Sequence, residues 1–319
     1  MFCLGEVGNK EMRTGRNHRL WLLALKVILG IGAFTLLLCL AYYSLLIGLS
    51  ILLSIVVFIF FLRHLETHFI FFPAPYPEGD WQQIAKEEKV EELFLETSDG
   101  ERINGFFFSA AGEPKATLLF FHGNAGNMTH RFQWCRELCK LQLNILAIDY
   151  RGYGKSSGKP SEAGLYKDGE SAYDYLIETR GISAKTIVLY GKSLGGGPAT
   201  ELATMKTCGG LILQSTFTSV DDMAATIVPV IPLGPLLKTK FDTNSKLANC
   251  SVPVLVIHSK DDELIPVWMA EKNGSTAPEA KTKLFVGADH NGLISTKSNL
   301  LLKEIASFIA TTVAYQDLS

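Results

Sequence analysis

This chain has no CxxC pair of cysteines and no large excess of positive or negative charge, and each absence argues against a class of function. The six cysteines include no CxxC pair and no dense framework, which argues against a disulfide scaffold and a zinc site. Lysine and arginine number 30 against 32 aspartate and glutamate residues, with no basic stripe beyond the N-terminal region. We therefore expect no nucleic-acid partner, no metal and no cofactor.

Charge is also scarce near the N-terminus, where Lys26 is the one charged residue within residues 20–62. Such a run is typical of membrane segments. As one helix, at about 1.5 Å per residue, it would be about twice as long as the ~30 Å hydrocarbon core. We therefore predict either a tight helical hairpin, turning near residues 42–44 or 48, or one span preceded by an interfacial or re-entrant helix. A cleaved signal peptide fits less well, because its apolar region is much shorter.

Basic residues are denser before the apolar run than after it, so residues 1–19 are predicted to be a cytoplasmic basic N-terminus. One span would place the rest of the chain on the lumenal or outer side, and a hairpin would return it to the cytoplasm. The sequons at Asn127, Asn249 and Asn273 could carry glycans only in the first case. We predict an integral membrane protein of the endomembrane system or plasma membrane, with the side left open.

Beyond residue 70 the pattern changes to short apolar runs that alternate with helix-like segments, which predicts a separate domain over residues 71–319. This alternation, after an opening hairpin, predicts an α/β fold with a doubly wound, mostly parallel sheet. Strands are predicted at residues 90–96, 102–108, 116–121, 144–149, 186–190, 211–214, 254–258 and 283–286, and helices at 130–141, 161–178, 197–205 and 299–313.

The alternation stops between residues 215 and 249, where residues 227–237 are apolar, rich in proline and unable to form a regular central strand. One interpretation is a loop with a short helix packed on the core. The other is a lid-like insertion, over about residues 216–249, that lines an acyl-chain pocket or touches lipid. The substrate-binding side chains would then be Ile227, Val230, Ile231, Leu233 and Leu236.

Gly191, Ser193 and Gly195 have the Gly-x-Ser-x-Gly spacing that allows a serine to occupy a sharp turn between a strand and a helix. A strand is predicted directly before this pentapeptide and a small-residue helix directly after it, which is the context that the motif needs. Side chains at 191 or 195 would collide with a neighbouring strand or helix. We therefore predict that Ser193 is a catalytic nucleophile.

A serine hydroxyl needs a base to take its proton, and His290 is the histidine that best fits this role. It follows the last predicted strand, at the sheet edge where ligands bind in such folds. His258 closes a strand and is expected to be structural.

The acid that orients the imidazole should come from the loop after the strand at residues 254–258. That loop offers Asp261, Asp262 and Glu263, of which two are expected to be solvated loop charges.

Acyl transfer also needs backbone N–H groups aimed at the developing negative charge. One is expected at Leu194, directly after the nucleophile. The other should come from the glycine-rich loop at residues 122–127, and we assign it to the amide of Asn124.

Together these segments resemble the α/β-hydrolase family, and within it the membrane-anchored type typified by alpha/beta-hydrolase domain-containing protein 13. The family's acid-loop pattern aligns with Asp262, not Asp261, and the order Ser193, Asp262, His290 is that of the family's triad. Ser259 stands where that pattern usually has glycine. The resemblance covers about residues 65–315, and its other motifs are Phe-His-Gly-Asn-Ala-Gly-Asn at 121–127, Asp-Tyr-Arg-Gly-Tyr-Gly-Lys-Ser at 149–156, Gly-Lys-Ser-Leu-Gly-Gly at 191–196 and Gly-Ala-Asp-His-Asn at 287–291.

The resemblance implies an α/β-hydrolase fold with a small lid, and a serine hydrolase of the esterase, lipase or thioesterase kind. The membrane segment favours the lipid bilayer as a partner and lipid-like esters or thioesters, including acylated proteins, as substrates. A serine peptidase or amidase is an alternative, because the same triad can attack amides. A non-catalytic membrane scaffold is a further alternative, disfavoured by the presence of all three triad residues. The sequence does not predict an oligomeric state.

Overall fold

The structure, a computed structural model, describes residues 7–316, and the side chains of residues 21–312. Part of the predicted cytoplasmic N-terminus, residues 1–6 and the side chains of residues 7–20, therefore lies outside the described residues. The chain divides into two compact units between Phe61 and Leu62. The first contains most of a long apolar helix, and the second contains the sheet.

The long helix, α1 (Val7–Ile70), is continuous and passes through residues 42–48 without a turn, so it has no hairpin there. The stretch Trp21–Ile70 is long and apolar enough to cross a membrane, and its most apolar window has a mean hydropathy of 3.1. None of that window is buried within the structure. By length and composition, α1 is the candidate for the predicted membrane segment.

The second unit is built on an eight-stranded sheet, with a separate pair of short strands. The strands are β1 (Phe72–Pro73), β2 (Val90–Glu96), β3 (Arg102–Phe108), β4 (Ala116–Phe121), β5 (Ala125–Gly126), β6 (Leu143–Ile148), β7 (Ile187–Lys192), β8 (Gly210–Gln214), β9 (Val254–Ser259) and β10 (Ala280–Phe285). The helices after α1 are α2 (Trp81–Ala85), α3 (Phe132–Cys139), α4 (Glu162–Asp174), α5 (Gly196–Met205), α6 (Val220–Ile227), α7 (Thr243–Leu247), α8 (Val267–Thr276), α9 (Gly292–Thr296) and α10 (Ser298–Gln316).

The large sheet has the strand order β10-β9-β8-β7-β4-β6-β3-β2. Strand β3 pairs antiparallel with both β2 and β6, and the remaining neighbours pair in parallel. This is the predicted doubly wound sheet with antiparallel strands at its start. Because β4, β7, β9 and β10 run in the same direction, the loops that follow them share one edge of the sheet.

Continuous apolar runs explain the central strands, and all residues of β4 are buried. Successive side chains of a strand point to opposite faces of the sheet. Leu118 and Phe120 accordingly enter one apolar core, while Leu119 and Phe121 enter the other. Two cores, one on each face, are what a parallel sheet covered by helices on both sides requires.

Some boundaries differ from those predicted, for local reasons. Strand β10 begins at Ala280 rather than residue 283, because it pairs with β9 from Val254 onwards. The helix predicted at residues 161–178 is regular as far as Asp174 and continues as a π-helix over Tyr175–Thr179. Helices α2, α7 and α9 were not predicted, since five residues give no periodic signal. Helix α8, which has ten residues, was also missed.

The end of α1 is bonded to the proline-rich insertion within the second unit. The buried carboxylate of Glu66 accepts hydrogen bonds from the N–H of Lys238 at 2.8 Å and of Thr239 at 3.2 Å, and from the Thr239 hydroxyl at 3.0 Å. Arg63 Nε donates to the Leu236 carbonyl at 3.1 Å. These bonds explain why the compact unit begins before the predicted boundary near residue 70.

The three sequons differ in access. Asn127 and Asn273 are buried, and their side-chain amides donate to backbone carbonyls. Asn249 is exposed. In the folded chain, Asn249 is therefore the sequon with room for a glycan.

Candidate active site

Ser193 lies at the tip of the turn between β7 and α5, where its φ angle is 53°. This left-handed backbone conformation is unfavourable for a residue with a side chain, and it persists where the surrounding packing enforces it. A 3₁₀ turn over Ser193–Gly195 connects the strand to the helix. The predicted strand, turn and helix are therefore all present around the serine.

The two outer glycines of the motif are required by close backbone contacts. A Cβ atom on Gly195 would lie 2.1 Å from the carbonyl oxygen of Phe121. A Cβ atom on Gly191 would lie 2.5 Å from the carbonyl oxygen of Gly195. Because both obstacles are backbone atoms, they cannot rotate away. The predicted collisions are confirmed, and the turn packs directly on the end of β4.

His290 connects the serine to the acid loop. Its Nε2 atom lies 3.2 Å from Ser193 Oγ, and its Nδ1 atom lies 2.8 Å from Asp262 Oδ2. All three residues are buried. With Nδ1–H donating to the carboxylate, the lone pair of Nε2 faces the hydroxyl, as proton removal requires. The structure thus brings together a serine and a histidine that are 97 positions apart in the sequence.

Asp262 is oriented by its own loop. Its Oδ1 atom accepts hydrogen bonds from the N–H groups of Leu264 at 3.0 Å and Ile265 at 2.8 Å. Burial raises the pKa of Asp262, but hydrogen bonds from His290 and Ile265 outweigh this effect, so the pKa lies below its ordinary value. Near neutral pH the group is a carboxylate that can stabilise a protonated imidazole.

Asp261 and Glu263 are exposed, but they are not merely the solvated loop charges that were expected. Asp261 Oδ2 accepts a hydrogen bond from the Gly287 N–H at 2.6 Å, and Glu263 Oε2 accepts one from the His290 N–H at 2.9 Å. Both acids therefore hold the backbone of the histidine loop, whereas Asp262 reaches the imidazole ring.

Ser259 forms a further link between the same two loops. Its buried hydroxyl donates to the Ala288 carbonyl at 2.5 Å and accepts a hydrogen bond from the Asp261 N–H at 3.3 Å. A glycine, which the family pattern usually has here, could form neither bond. Sequence reasoning missed this role, although the departure from the pattern was a signal.

His258 lies behind the acid and is fully buried. Its Nε2 atom is 2.9 Å from the Ile265 carbonyl oxygen and 3.3 Å from Asp262 Oδ2. Burial lowers the pKa of His258, which favours the neutral ring. A neutral His258 that donates from Nε2 supports the acid loop, in agreement with its predicted structural role.

The loop after β4 passes beside the nucleophile, since a Cβ atom on Gly123 would lie 3.5 Å from Ser193 Cβ. His122 Nδ1 lies 2.6 Å from the Gly123 carbonyl oxygen. Because C=O and N–H of a trans peptide point in opposite directions, this bond directs the Asn124 N–H away from His122. The Leu194 N–H lies in the first helical turn, where no intrahelical acceptor exists.

Known proteins are similar to this chain in sequence and in fold. A family model described as Hydrolase_4, serine aminopeptidase, S33, matches residues 112–239. Uncharacterized protein Rv2307c of Mycobacterium tuberculosis is 31% identical over 256 residues, which are 80% of this chain and 90% of that protein. Protein bem46 of Schizosaccharomyces pombe is 34% identical over 232 residues, 68% of this chain and 76% of that protein. Alpha/beta hydrolase domain-containing protein 17C of Mus musculus is 35% identical over 222 residues, 67% of each chain.

The chain belongs to the α/β-hydrolase superfamily. The crystal structure of the Pyrococcus furiosus esterase Pf2001 is similar to this hydrolase, with a TM-score of 0.61 and 18% sequence identity. The superposition includes 76% of this chain and 98% of the esterase chain. At that identity the likeness shows the fold, and it confirms the fold predicted from the sequence. The narrower resemblance to the membrane-anchored type stays a prediction.

The substrate-binding residues predicted for this hydrolase are not gathered in an enclosed pocket. Ile227 and Val230 are 71% and 89% exposed, and Ile231 is also exposed, so all three side chains face solvent. Leu233 and Leu236 are half-buried. The insertion carries α6 and a 3₁₀ turn at Gly234–Leu236, but its acyl-chain pocket stays a prediction.

Lys192, which sequence reasoning passed over, bridges the two halves of the site in this α/β-hydrolase. It ends β7 directly before Ser193, and its buried Nζ atom donates to Asn291 Oδ1 at 3.0 Å. Asn291 directly follows His290. Burial, together with the nearby charge of Arg131, lowers the pKa of Lys192 to about 8. The lysine therefore holds the histidine loop against the serine strand.

Replacing Lys192 with methionine is expected to lower kcat about ten- to hundredfold with a smaller change in KM. A hydrogen bond from a charged donor contributes about 1.5–3 kcal/mol, and without it His290 would be held less well in the position that the chemical step requires. Ester-hydrolysis kinetics measure the two constants separately. Lys260→Met, at an exposed position of the acid loop, is the matched control and should keep both constants. An unchanged kcat in Lys192→Met would show that this bond does not position the histidine.

Proposed function

We propose that this α/β-hydrolase is a membrane-anchored serine hydrolase that cleaves carboxylic esters or thioesters of lipid-like substrates. One observation carries the proposal: the chain of contacts from Asp262 through His290 to Ser193, at 2.8 and 3.2 Å. The distance from Ser193 to His290 suits proton transfer, and the distance from His290 to Asp262 suits a hydrogen bond that orients the ring. The bonds that hold the acid and histidine loops together support a preorganised site.

In the acylation step, His290 Nε2 takes the Ser193 proton while Oγ attacks the substrate carbonyl carbon. The N–H groups of Leu194 and Asn124 donate to the resulting oxyanion, and each such donor contributes about 3 kcal/mol. The protonated imidazole then gives its proton to the leaving alkoxide or thiolate. The acyl group remains on Ser193, and an alcohol or thiol departs.

In the deacylation step, His290 takes a proton from water, and the hydroxide oxygen attacks the acyl-enzyme carbonyl. Collapse of the second intermediate breaks the bond to Ser193 Oγ, which recovers its proton from the imidazole. Asp262 stabilises the protonated ring in both steps. The products are a carboxylic acid and the free enzyme.

The apolar stretch Trp21–Ile70 supports anchoring in a membrane. An enzyme held at a bilayer is close to acylglycerols, lysophospholipids and S-acylated proteins, which favours these as substrates. The proposed location is therefore an integral membrane one, in the endomembrane system or the plasma membrane.

A serine peptidase is the second candidate, because the matching family model is described as a serine aminopeptidase. An aminopeptidase would need a carboxylate free to bind the amino group of its substrate. Asp261 and Glu263, the acids beside the triad's Asp262, are already hydrogen-bonded to backbone amides. A carboxylate can accept more than one hydrogen bond, so the preference for esters and thioesters of lipids rests on the apolar stretch Trp21–Ile70. A non-catalytic scaffold is disfavoured by the intact arrangement around Ser193.

The test uses membranes that contain the intact protein, with membranes lacking it as the control. A fluorophosphonate probe is expected to label the protein covalently, and hydrolysis of acylglycerols, lysophospholipids or acyl-thioesters should fall in proportion to labelling. Absence of labelling in folded protein would contradict a serine hydrolase. Faster cleavage of aminoacyl amides than of any ester or thioester would favour the peptidase.

A further inference from the structure

The residues at the end of α1 contact the loop that passes beside the nucleophile. The Phe72 N–H donates to the Asn124 carbonyl at 2.9 Å, and the Asn124 side chain donates to the Ile70 carbonyl at 3.3 Å. Strand β1 also pairs with β5. All these atoms lie within the second unit. The chain that leaves the helix is thus part of one wall of the site.

The same end of the helix contacts the proline-rich insertion. Glu66 and Arg63 bond to backbone groups of residues 236–239. Phe71 is buried against Phe241, in an edge-to-face contact with ring centroids 6.1 Å apart. The segment of residues 63–72 therefore fixes both the loop beside Ser193 and the base of the insertion.

The position of residue 63 in the sequence places these contacts at a bilayer surface. Arg63 directly follows the apolar run, which ends at residue 62. A membrane span formed by the C-terminal half of this run ends at residue 62, and the basic residue that follows it then lies at the interface. Segments that are hydrogen-bonded to residues 63–72 must lie close to that interface as well.

The tip of the insertion has the character of a surface that contacts lipid. Three of its apolar side chains, Ile227, Val230 and Ile231, are exposed, and Val228 is half-buried. Contiguous exposed apolar residues mark interaction sites rather than ordinary protein surface. Lys238 is exposed at the base of the insertion, where a cation suits anionic headgroups.

We propose that the apolar tip, residues 227–231, inserts among the acyl chains of the leaflet at which α1 ends, so that the active site opens on the bilayer. The inference rests on the proposed membrane anchoring. A lipid-like ester could then pass from the leaflet towards Ser193 without crossing water. The tip is a second membrane contact, distinct from the helix, and its occupant is bilayer lipid.

Photocrosslinking in liposomes tests this inference with the full-length chain. Benzoylphenylalanine is placed singly at Val230, at Phe34 in α1, or at Met205, and the liposomes contain phosphatidylcholine with radiolabelled acyl chains. Met205 is the matched control because it is apolar and 61% exposed. It lies at the last residue of α5, whereas the turn that carries Ser193 precedes the first residue of that helix. We expect about tenfold more lipid adduct at 230 than at 205, approaching the yield at 34.

The outcomes separate the inference from the proposal on which it rests. Lipid adduct at 34 but only control levels at 230 would overturn the inference and leave anchoring intact. Background levels at 34 would overturn the anchoring itself. A protein–protein adduct at 230, in place of the lipid adduct, would also overturn the inference by making a second chain the occupant.

Discussion

Ser193→Ala is expected to abolish fluorophosphonate labelling and to lower ester turnover by at least about 10⁴-fold. The expectation follows from the geometry, since the Oγ atom of Ser193 is the one hydroxyl within 3.2 Å of His290 Nε2 among the described residues. Alanine leaves no atom that can attack a carbonyl carbon or carry an acyl group. Labelling with a fluorescent probe, followed by gel separation, measures the covalent step, and product release from an ester measures turnover.

The matched control is Ser275→Ala, which removes an exposed hydroxyl on α8. This variant should label and turn over like the native protein. Ser193→Ala should unfold at a similar temperature to the native protein, because alanine occupies no more space than serine. Labelling that survives in folded Ser193→Ala would overturn the assignment of the nucleophile.

Asp262→Asn is expected to lower kcat about 10⁴-fold while the protein stays folded. The asparagine could keep an oxygen that accepts from the Leu264 and Ile265 N–H groups, so the loop would be preserved. Its NH₂ group, however, cannot accept the proton on His290 Nδ1. The ring would then favour the tautomer with a proton on Nε2, which cannot receive one from Ser193. Steady-state kinetics on a soluble ester measure the effect.

Asp261→Asn is the comparison, because it changes the neighbouring acid in the same way. Asparagine can still accept the hydrogen bond from the Gly287 N–H, so we expect a loss of less than about tenfold. If Asp261→Asn lost more activity than Asp262→Asn, the orienting acid would have to be reassigned to Asp261.

The principal residues of the candidate site could be predicted because local rules and topology determine where they lie. A serine between Gly191 and Gly195 follows from backbone geometry, since the turn has no space for a Cβ at either position. The gathering of His290 and Asp262 beside it follows from parallel strands, whose carboxyl ends share one edge. Alternating apolar runs and helices were enough to predict the sheet itself.

The supporting contacts could not be predicted in the same way, because they join residues that are distant in the sequence. Nothing in the residues around Lys192 indicates that its amine will reach Asn291, and nothing near Ser259 indicates a partner at Ala288. Such pairs depend on how closely two loops pack. The continuity of α1 was equally hidden, since a uniformly apolar run is compatible with a turn or with none.

In the proline-rich insertion, the direction in which the side chains face could not be predicted from the sequence. Its prolines correctly excluded a central strand, but they could not determine whether Ile227 and Val230 face inwards or outwards. A side chain faces inwards when other parts of the chain pack over it, and it faces outwards when its partner is another surface, such as a bilayer.

The contact between Gly195 and the Phe121 carbonyl has a consequence for the behaviour of the site on heating. It joins backbone to backbone, so it contains no rotatable side chain whose disorder could widen it. The histidine loop, by contrast, is held through side chains such as Ser259 and Lys192. As temperature rises, the separation of Ser193 from the loop after β4 should stay constant while His290 becomes mobile. Thermal loss of activity should therefore begin with the base and leave the nucleophile in place.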